Sequence, residues 1–508
     1  MNWIDNLIGF ISPKWGAVRQ AWRMQMDELR NYDAAGFGRV NNNWRAYNQS
    51  ADMTDRYSRD QIRARARDLE RNSDFMGALL SAYERNIIGG GYTVQPKTGT
   101  PALDDELIRL WNLWCKKQNC DVTGTQSFME LMRMAIIRKK IDGGILFLKR
   151  YTSDGLLPFK LQVLEVDELD ITAIKPRTEG GKVVNGIEYD RYNKPVGYFI
   201  KQYSVDGFAE TEPYYVDAKD VMFLFSKRRP SQLREMPDFT QTITRIRDAN
   251  EFMTAVSVKE RIEACFSVFI KRAAPPPSGF GRSGGVDESG NPAYLGKTVS
   301  PGMIQYLNPG DEVTAFNPTG QGADATNHIK THERLIGSGQ GISYEAMSRD
   351  MSLSNYSSAR QGLIEDELTF RKDIELLIEL MDEIYETFVI SCILSGRVTV
   401  PDFWGNKDAY LSHKWIRAPK QWIDPLKESN ANRIAMQTGQ KTFAQICAEN
   451  GRDWKATLEE MAEIKDFGEG LGLDMDSIVF GIKETAALAA DDKEVDTGGE
   501  KDSKTGSE

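Results

Sequence analysis

The chain has 508 residues, 40% hydrophobic and 27% charged, with 64 Lys+Arg against 74 Asp+Glu and a net charge of −10. That composition supports real cores and excludes wholesale disorder, and the length suggests several sub-domains. The acidic balance argues against a surface that coats nucleic acid throughout, and no stretch approaches the roughly 18 apolar residues of a membrane span.

Residues 1–25 lack the basic leader, long apolar core and small-residue cleavage site of a secretory signal, and Trp3, Leu7, Ile8 and Ile11 suggest a short amphipathic arm. Five scattered cysteines (Cys115, Cys120, Cys265, Cys392, Cys447) fit reduced core thiols in a cytosolic protein. Residues 54–88 read as one helix, with Thr54 or Asp55 as N-cap and Ile62, Leu69, Phe75, Leu79, Leu80 and Tyr83 as apolar positions. Gly89-Gly90-Gly91 stops it. Two more helices are expected over 101–118, opened by Pro101, and over 126–140. The period then changes to short β-rich runs at 145–149, 159–166, 182–189, 196–202 and 221–225, broken by turn signals such as Asn185-Gly186. These predict a small antiparallel sheet inserted in a helical body.

Helix returns after Pro237, with Ile243, Ile246, Met253 and Val256 as its stripe over about 25 residues. Residues 273–302 hold seven Gly and five Pro, the composition of a projecting loop or mobile tip. Strands are expected at 303–307 and 312–316, then a helix from about 324 to 337. Ser357-Ser358 opens the longest periodic signal, continued by Leu363, Phe370, Ile374, Leu377, Met381, Ile384 and Phe388. A helix over 357–394 would span roughly 57 Å and would bridge sub-domains or line an assembly. Residues 410–483 are mixed helix and loop, and the tail 485–508, with seven acids and three Lys, reads as disordered. The fold class expected is α+β, mainly helical.

Chemistry-bearing patterns are few. His328 and His332 sit four apart on a predicted helix and could face one metal ion, but the order His-x-x-x-His-Glu misplaces the base of a zinc hydrolase and no third ligand stands out. Gly337-Ser338-Gly339-Gln340-Gly341 has the composition of a phosphate-cradling loop, yet it follows a helix rather than a strand, which favours a flexible hinge. Neither a cofactor nor a catalytic site is expected. Arg59, Arg63, Arg67 and Arg71 recur every four residues with acids interleaved, the pattern of a salt-bridged face between subunits. Residues 226–275 carry ten basic and six acidic residues, a locally basic segment that could face DNA or acids on a neighbouring subunit.

An ordered string of motifs carries a resemblance. It runs from Arg65-Ala66-Arg67-Asp68-Leu69-Glu70-Arg71-Asn72 and Asn86-Ile87-Ile88-Gly89-Gly90-Gly91 to Asn185-Gly186-Ile187-Glu188-Tyr189-Asp190 and Pro195-Val196-Gly197-Tyr198. It continues through Arg229-Pro230-Ser231-Gln232-Leu233-Arg234-Glu235-Met236-Pro237 to Gly341-Ile342-Ser343-Tyr344-Glu345, Asp350 and Asn355-Tyr356-Ser357-Ser358-Ala359-Arg360. Trp415, Pro419, Ile423-Asp424-Pro425 and Gly451-Arg452-Asp453-Trp454 close it. In this order the sequence resembles the portal proteins of tailed bacteriophages, specifically the lambda-type portal family. Ser231 and Glu235 stand where the family pattern usually has glycines, so the turn before the following helix is expected to differ.

The resemblance implies a homo-oligomeric ring, usually of twelve subunits, at one capsid vertex of the virion, assembled in the host cytoplasm without a membrane. Double-stranded DNA would pass through its channel in packaging and ejection. Its partners would be terminase, the major capsid or scaffold protein and a head-tail connector; another phage head or connector component is the alternative. On that template 1–236 is the wing with its β insertion, 237–260 the first stem helix, 261–323 the clip and 324–340 the second stem helix. Residues 341–396 are the channel loop and long wing helix, and 397–484 the C-terminal wing and crown. Arg349, Asp350, Asn355, Tyr356 and Arg360 are the channel-loop candidates for DNA contact, Lys330 and Arg334 the stem candidates, and Gly337, Gly339 and Gly341 the hinge.

Overall fold

The computed structural model describes residues 48–208, 212–265, 269–272, 311–314, 322–352, 356–419 and 425–473, with Lys14, Val18 and Met475 singly. The amphipathic arm, the Gly/Pro-rich segment 273–302, the strand expected at 303–307, Asn355 and the acidic tail all lie outside those residues.

The chain divides into two units. Within the smaller, helix α1 (Ala51–Asp55) is capped by Ser50, whose side chain accepts the Met53 N–H. The Ala51 N–H donates to Ser231 Oγ at 2.9 Å, so one residue at a family glycine position supplies an acceptor for a helix start.

The larger unit begins with α2 (Arg59–Asn72) and α3 (Asp74–Ile87). The single helix expected over 54–88 is therefore broken. Ser73 takes an extended conformation and caps α3 through the Met76 N–H, a competition with the backbone that serine wins at helix starts. Strand β1 (Tyr92–Pro96) follows, then α4 (Pro101–Trp114), the short α5 (Lys117–Cys120) and α6 (Phe128–Asp142), opened by a Ser127/Glu130 capping box.

The predicted sheet is two sheets. Strands β2 (Gly144–Tyr151) and β3 (Phe159–Leu164) pair with β8 (Val221–Phe225) in the order β3-β2-β8. A separate antiparallel meander joins β4 (Lys182–Val184), β5 (Ile187–Tyr189), β6 (Pro195–Ile200) and β7 (Tyr214–Asp217). Asn185 and Gly186 both take positive φ at the β4–β5 hairpin, as a tight Asn-Gly turn requires.

A 3₁₀ turn over Asp238–Gln241 delays the first long helix, so α7 runs Ile243–Cys265 instead of starting at 237. Backbone pairing joins β9 (Phe269–Arg272) to β10 (Asp311–Thr314), and α8 spans Gly322–Gln340. Phe252 stacks on His328 at 4.4 Å and Gln340 donates to Thr242, so α7 and α8 run antiparallel. Short α9 (Tyr344–Ser348) leads to α10 (Tyr356–Leu394), 39 residues long. Then come α11 (Lys407–Leu411), β11 (His413–Arg417), α12 (Pro425–Gln437), α13 (Phe443–Glu449) and α14 (Trp454–Gly470).

The main core gathers on α10. Phe370, Leu377, Met381, Ile384, Tyr385 and Phe388 are buried there against α3, α4 and α6, with Trp111 in edge contact with Phe128, Tyr385 and Phe388. Full burial of such side chains contributes about 1.5–3 kcal/mol each, which holds a helix this long to the body. Strand β11 returns from over three hundred residues away to pair with β1. His413 there faces Asp382 Oδ1 at 3.0 Å and the Leu411 carbonyl at 2.7 Å, so both ring nitrogens meet acceptors.

Three of the four arginines in the row turn inward and find partners within the chain. Arg59 and Arg63 are each 4% exposed; Arg59 Nε donates to the Glu235 carbonyl at 3.0 Å and Arg63 reaches the Glu235 carboxylate at 3.1 Å. Arg67 pairs with Asp142 at 2.6 Å and with Asp167 at 2.6 Å inside the same chain. Only Arg71, 69% exposed, remains at the surface. The cause is Glu235, fully buried and held by Arg234 at 2.6 Å. Burial alone would raise its carboxyl, but Arg234, Arg63 and Arg59 outweigh that and keep it ionised.

Glu235→Ala therefore strands Arg234 without a counter-ion and should cost about 3–5 kcal/mol by chemical denaturation, whereas Arg71→Ala should stay within about 0.5 kcal/mol. His413 carries a pH prediction. Burial lowers its pKa, but the Asp382 and Leu411 hydrogen bonds and nearby Asp382 and Glu386 charges raise it overall. Stability from a raised histidine is complete below the unfolded value of about 6.5 and lost as pH rises through the folded value. The denaturation midpoint of the wild type should fall relative to His413→Gln as pH rises above about 6.5; parallel curves would remove the assignment.

Candidate functional site

The predicted site residues fall around the junction where α8 ends, α9 turns and α10 begins. Helix α8 stops by a two-bond C-cap: the Ile342 N–H donates to the Gly337 carbonyl at 2.9 Å and the Gly341 N–H to Ser338 at 3.2 Å. Gly341 has φ +69°, the left-handed cap conformation, and a Cβ there would also lie 2.9 Å from Thr369 Oγ1. Thr369 in turn donates to the Gly341 carbonyl at 2.6 Å. Gly337 and Gly339 stay inside the helix. A Cβ on Gly337 would meet the Ile342 carbonyl oxygen at 2.7 Å, and one on Gly339 would meet Thr242 Cγ2 at 2.7 Å. The helix therefore runs past 337, and two of the three glycines serve close approach rather than chain reversal.

Asp366, buried on α10, fixes the next turn. It accepts the Ser343 N–H at 2.7 Å and the Ser343 hydroxyl at 2.6 Å, while Ser343 Oγ caps α9 through the Ala346 N–H. Below this cap lies a buried ion quartet. Lys139 Nζ sits 2.8 Å from Asp238 and 2.7 Å from Asp373; Lys140 Nζ sits 3.1 Å and 2.6 Å from the same carboxylates. Lys140 also lies over the Tyr83 ring at 3.9 Å, and Tyr83 Oη donates to the Gln340 carbonyl at 3.1 Å. Burial would raise the Asp238 carboxyl, but Lys140 and Lys139 overcome it and hold it below the usual carboxylate range. For Lys140 burial works downward, and Asp238 and Asp373 reverse it, so the ammonium stays charged.

The candidate DNA-contact residues divide. Arg349 is exposed at the end of α9 with φ +58°; its N–H donates to the Glu345 carbonyl, and its guanidinium has no partner among the described residues. Asp350 accepts from Ser352, Tyr344 Oη and Lys330; the Ser352 bonds lead, and its carboxyl falls to about 2. Lys330 is thereby partly neutralised, at 3.5 Å. Arg334 is exposed and lies over the Tyr344 ring at 5.5 Å. Arg360 faces Glu428 of α12 at 3.7 Å, an ion pair within the chain. Tyr356 begins α10, and Asn355 lies outside the described residues. The rings of His328 and His332 lie 4.5 Å apart at a tilt of 47°, and no group of three metal-ligating side chains occurs among the described residues.

Sequence reasoning missed the quartet and Asp366. Lys139-Lys140 reads as an ordinary basic helix end. Asp238 and Asp373 lie 99 and 234 residues away, and no local pattern links them. Because Gly341 alone needs the left-handed cap, Gly341→Ala should lower stability by about 1–2 kcal/mol or more. Gly362→Ala, whose Cβ would meet only Ser343 at 3.7 Å, should be neutral or stabilising in thermal unfolding.

Three relatives set this geometry in context. A probable portal protein of Halomonas phage phiHAP-1 is 27% identical over 472 residues, covering 87% of this chain and 88% of that one. Portal protein B of Escherichia phage lambda is 19% identical, over 85% and 89% of the two chains. Among solved structures, a chain from the virion of a native gene transfer agent particle aligns at 13% identity with a TM-score of 0.38, over 73% of this chain and 93% of that one. The sequence signature described as "Phage portal protein, lambda family" matches residues 37–373, well over half the chain. The arginine-bearing α2, both sheets, the antiparallel pair α7–α8 and the capped junction all lie within that span, and the chain belongs to the lambda family of phage portal proteins.

Proposed function

We propose that copies of this chain form a closed ring of twelve at one capsid vertex, through which double-stranded DNA is packaged and later ejected. In this reading terminase docks first and the head-tail connector afterwards, on the segment between α7 and α8. The observation that carries it, beside family membership, is the antiparallel pair itself. Two long helices are fastened at one end by Thr242, Gln340 and Gly339, and the chain leaves and re-enters at the other. Such a pair reads as a stem anchored to the body at one end, its two helices joined by residues 266–321. The major capsid or scaffold protein would contact the wing, residues 1–236.

The charge pattern supports a channel that lets DNA slide. Each phosphate contact adds affinity and a barrier to movement, so a translocating duplex is served by few and weak ones. Asp350 offsets Lys330, Glu428 offsets Arg360, and Arg349 is left as the principal contact candidate. The protein contributes shape and a fixed junction; the chemistry of translocation belongs to the motor.

Negative-stain imaging of the purified protein should give rings with a central hole and a mass of roughly 700 kDa, about twelve times the 57.3 kDa chain. Monomers or open aggregates would favour a different head component. Arg349→Ala should reduce DNA packaging or retention while rings still assemble; failure to assemble would sink the contact assignment. Arg360→Ala is less clean because it also releases Glu428.

A further inference from the structure

A cavity of about 650 Å³ opens beside the ion quartet, walled by α6, the end of β8, the C-terminus of α8 and α10. Five cationic side chains line it against two carboxylates. The floor is balanced, since Lys139 and Lys140 share Asp238 and Asp373. The rim is not. Arg228 spends one contact on Asp238 at 3.0 Å, while Lys227 and Lys372 are exposed and have no partner among the described residues. They converge from different elements, Lys227 just past β8 and Lys372 on α10. Five cations against two carboxylates leave the cavity with a net positive charge that attracts an anion.

We propose that this cavity is a binding site for a phosphate-bearing polyanion. Its volume falls within the range of small-ligand sites, well above what one carboxylate fills, and its charge suits a ligand with several anionic oxygens. Arg228 is already engaged by Asp238, so the exposed Lys227 and Lys372 supply the point charges for the phosphate oxygens. Two sources share that chemistry: the backbone of a DNA duplex, which rests on the portal reading, and a free polyphosphate or nucleotide, which does not.

The test uses full-length protein, titrated at constant ionic strength with sodium tripolyphosphate and, separately, with a 20-base-pair duplex at the order-of-magnitude length of two helical turns. Tripolyphosphate should bind the wild type at least about tenfold more tightly than Lys227→Gln/Lys372→Gln, a surface double variant that leaves the quartet and ring imaging unchanged. If tripolyphosphate also displaces the duplex and the variant loses both, the backbone is the source. If the duplex is indifferent to the variant, the source is a free polyphosphate. Equal tripolyphosphate affinity in both proteins overturns the site. So does a poly-glutamate peptide that binds more tightly with the same dependence on the lysines, since the occupant would then be an acidic protein segment. Ring imaging stands apart from all of these results, so loss of the portal reading and loss of this site are distinguishable.

Discussion

Two lysines and two aspartates, buried together, hold the geometry on which the rest depends. Lys139 and Lys140 end α6, Asp238 sits in the turn before α7, and Asp373 lies on α10, so four charges tie three elements at one point. Desolvating such groups costs several kcal/mol per ion, and an apolar cluster of equal volume could match the net stability. What a charge quartet adds is a single permitted arrangement. A lysine moved by one helical residue would leave two buried carboxylates sharing a single ammonium from α6.

The same junction is pinned from the other side. Asp366 holds Ser343, Thr369 holds the Gly341 carbonyl, and Gly339 lets α8 press on Thr242. The α7–α8 pair thus leaves the body at an angle fixed by hydrogen bonds and steric contact. On the portal reading that matters mechanically. If the α7–α8 pair is the proposed stem, load applied at its far end reaches the body through this junction, and a packed junction transmits it where a hinge would absorb it. The arginine cluster at Glu235 extends this bracing toward the meander sheet, through Arg234 to the Asn185 and Val166 carbonyls.

Much of the fold was legible because its signals are local. Apolar spacing placed α10 within one residue of its start, β8 at its observed bounds, and the Asn-Gly turn at its hairpin. The failures share a cause: long-range partners decided them. Arg59, Arg63 and Arg67 look like a solvated face until Glu235, Asp142 and Asp167 arrive from distant parts of the chain. Glu235 and Ser231, read only as departures from glycine, carry contacts of their own, Glu235 to Arg234 and Arg63 and Ser231 to the Ala51 N–H. Pairing of β1 with β11 had no sequence signal of its own, since neither strand has a partner nearby in the chain. The glycine run was recognised as special, yet only Gly341 breaks the helix, because close approach and chain reversal require the same residue for different reasons.

Held from both sides, the end of α8 is a rigid clamp rather than a hinge. Native-state hydrogen exchange of the assembled protein tests it most directly, because it reads the opening free energy of individual segments. Amides 336–342 should exchange as slowly as those of 370–381 in the core of α10, opening only with the larger unit. Rapid local exchange confined to 337–341, with 370–381 still protected, would contradict it and restore a flexible hinge.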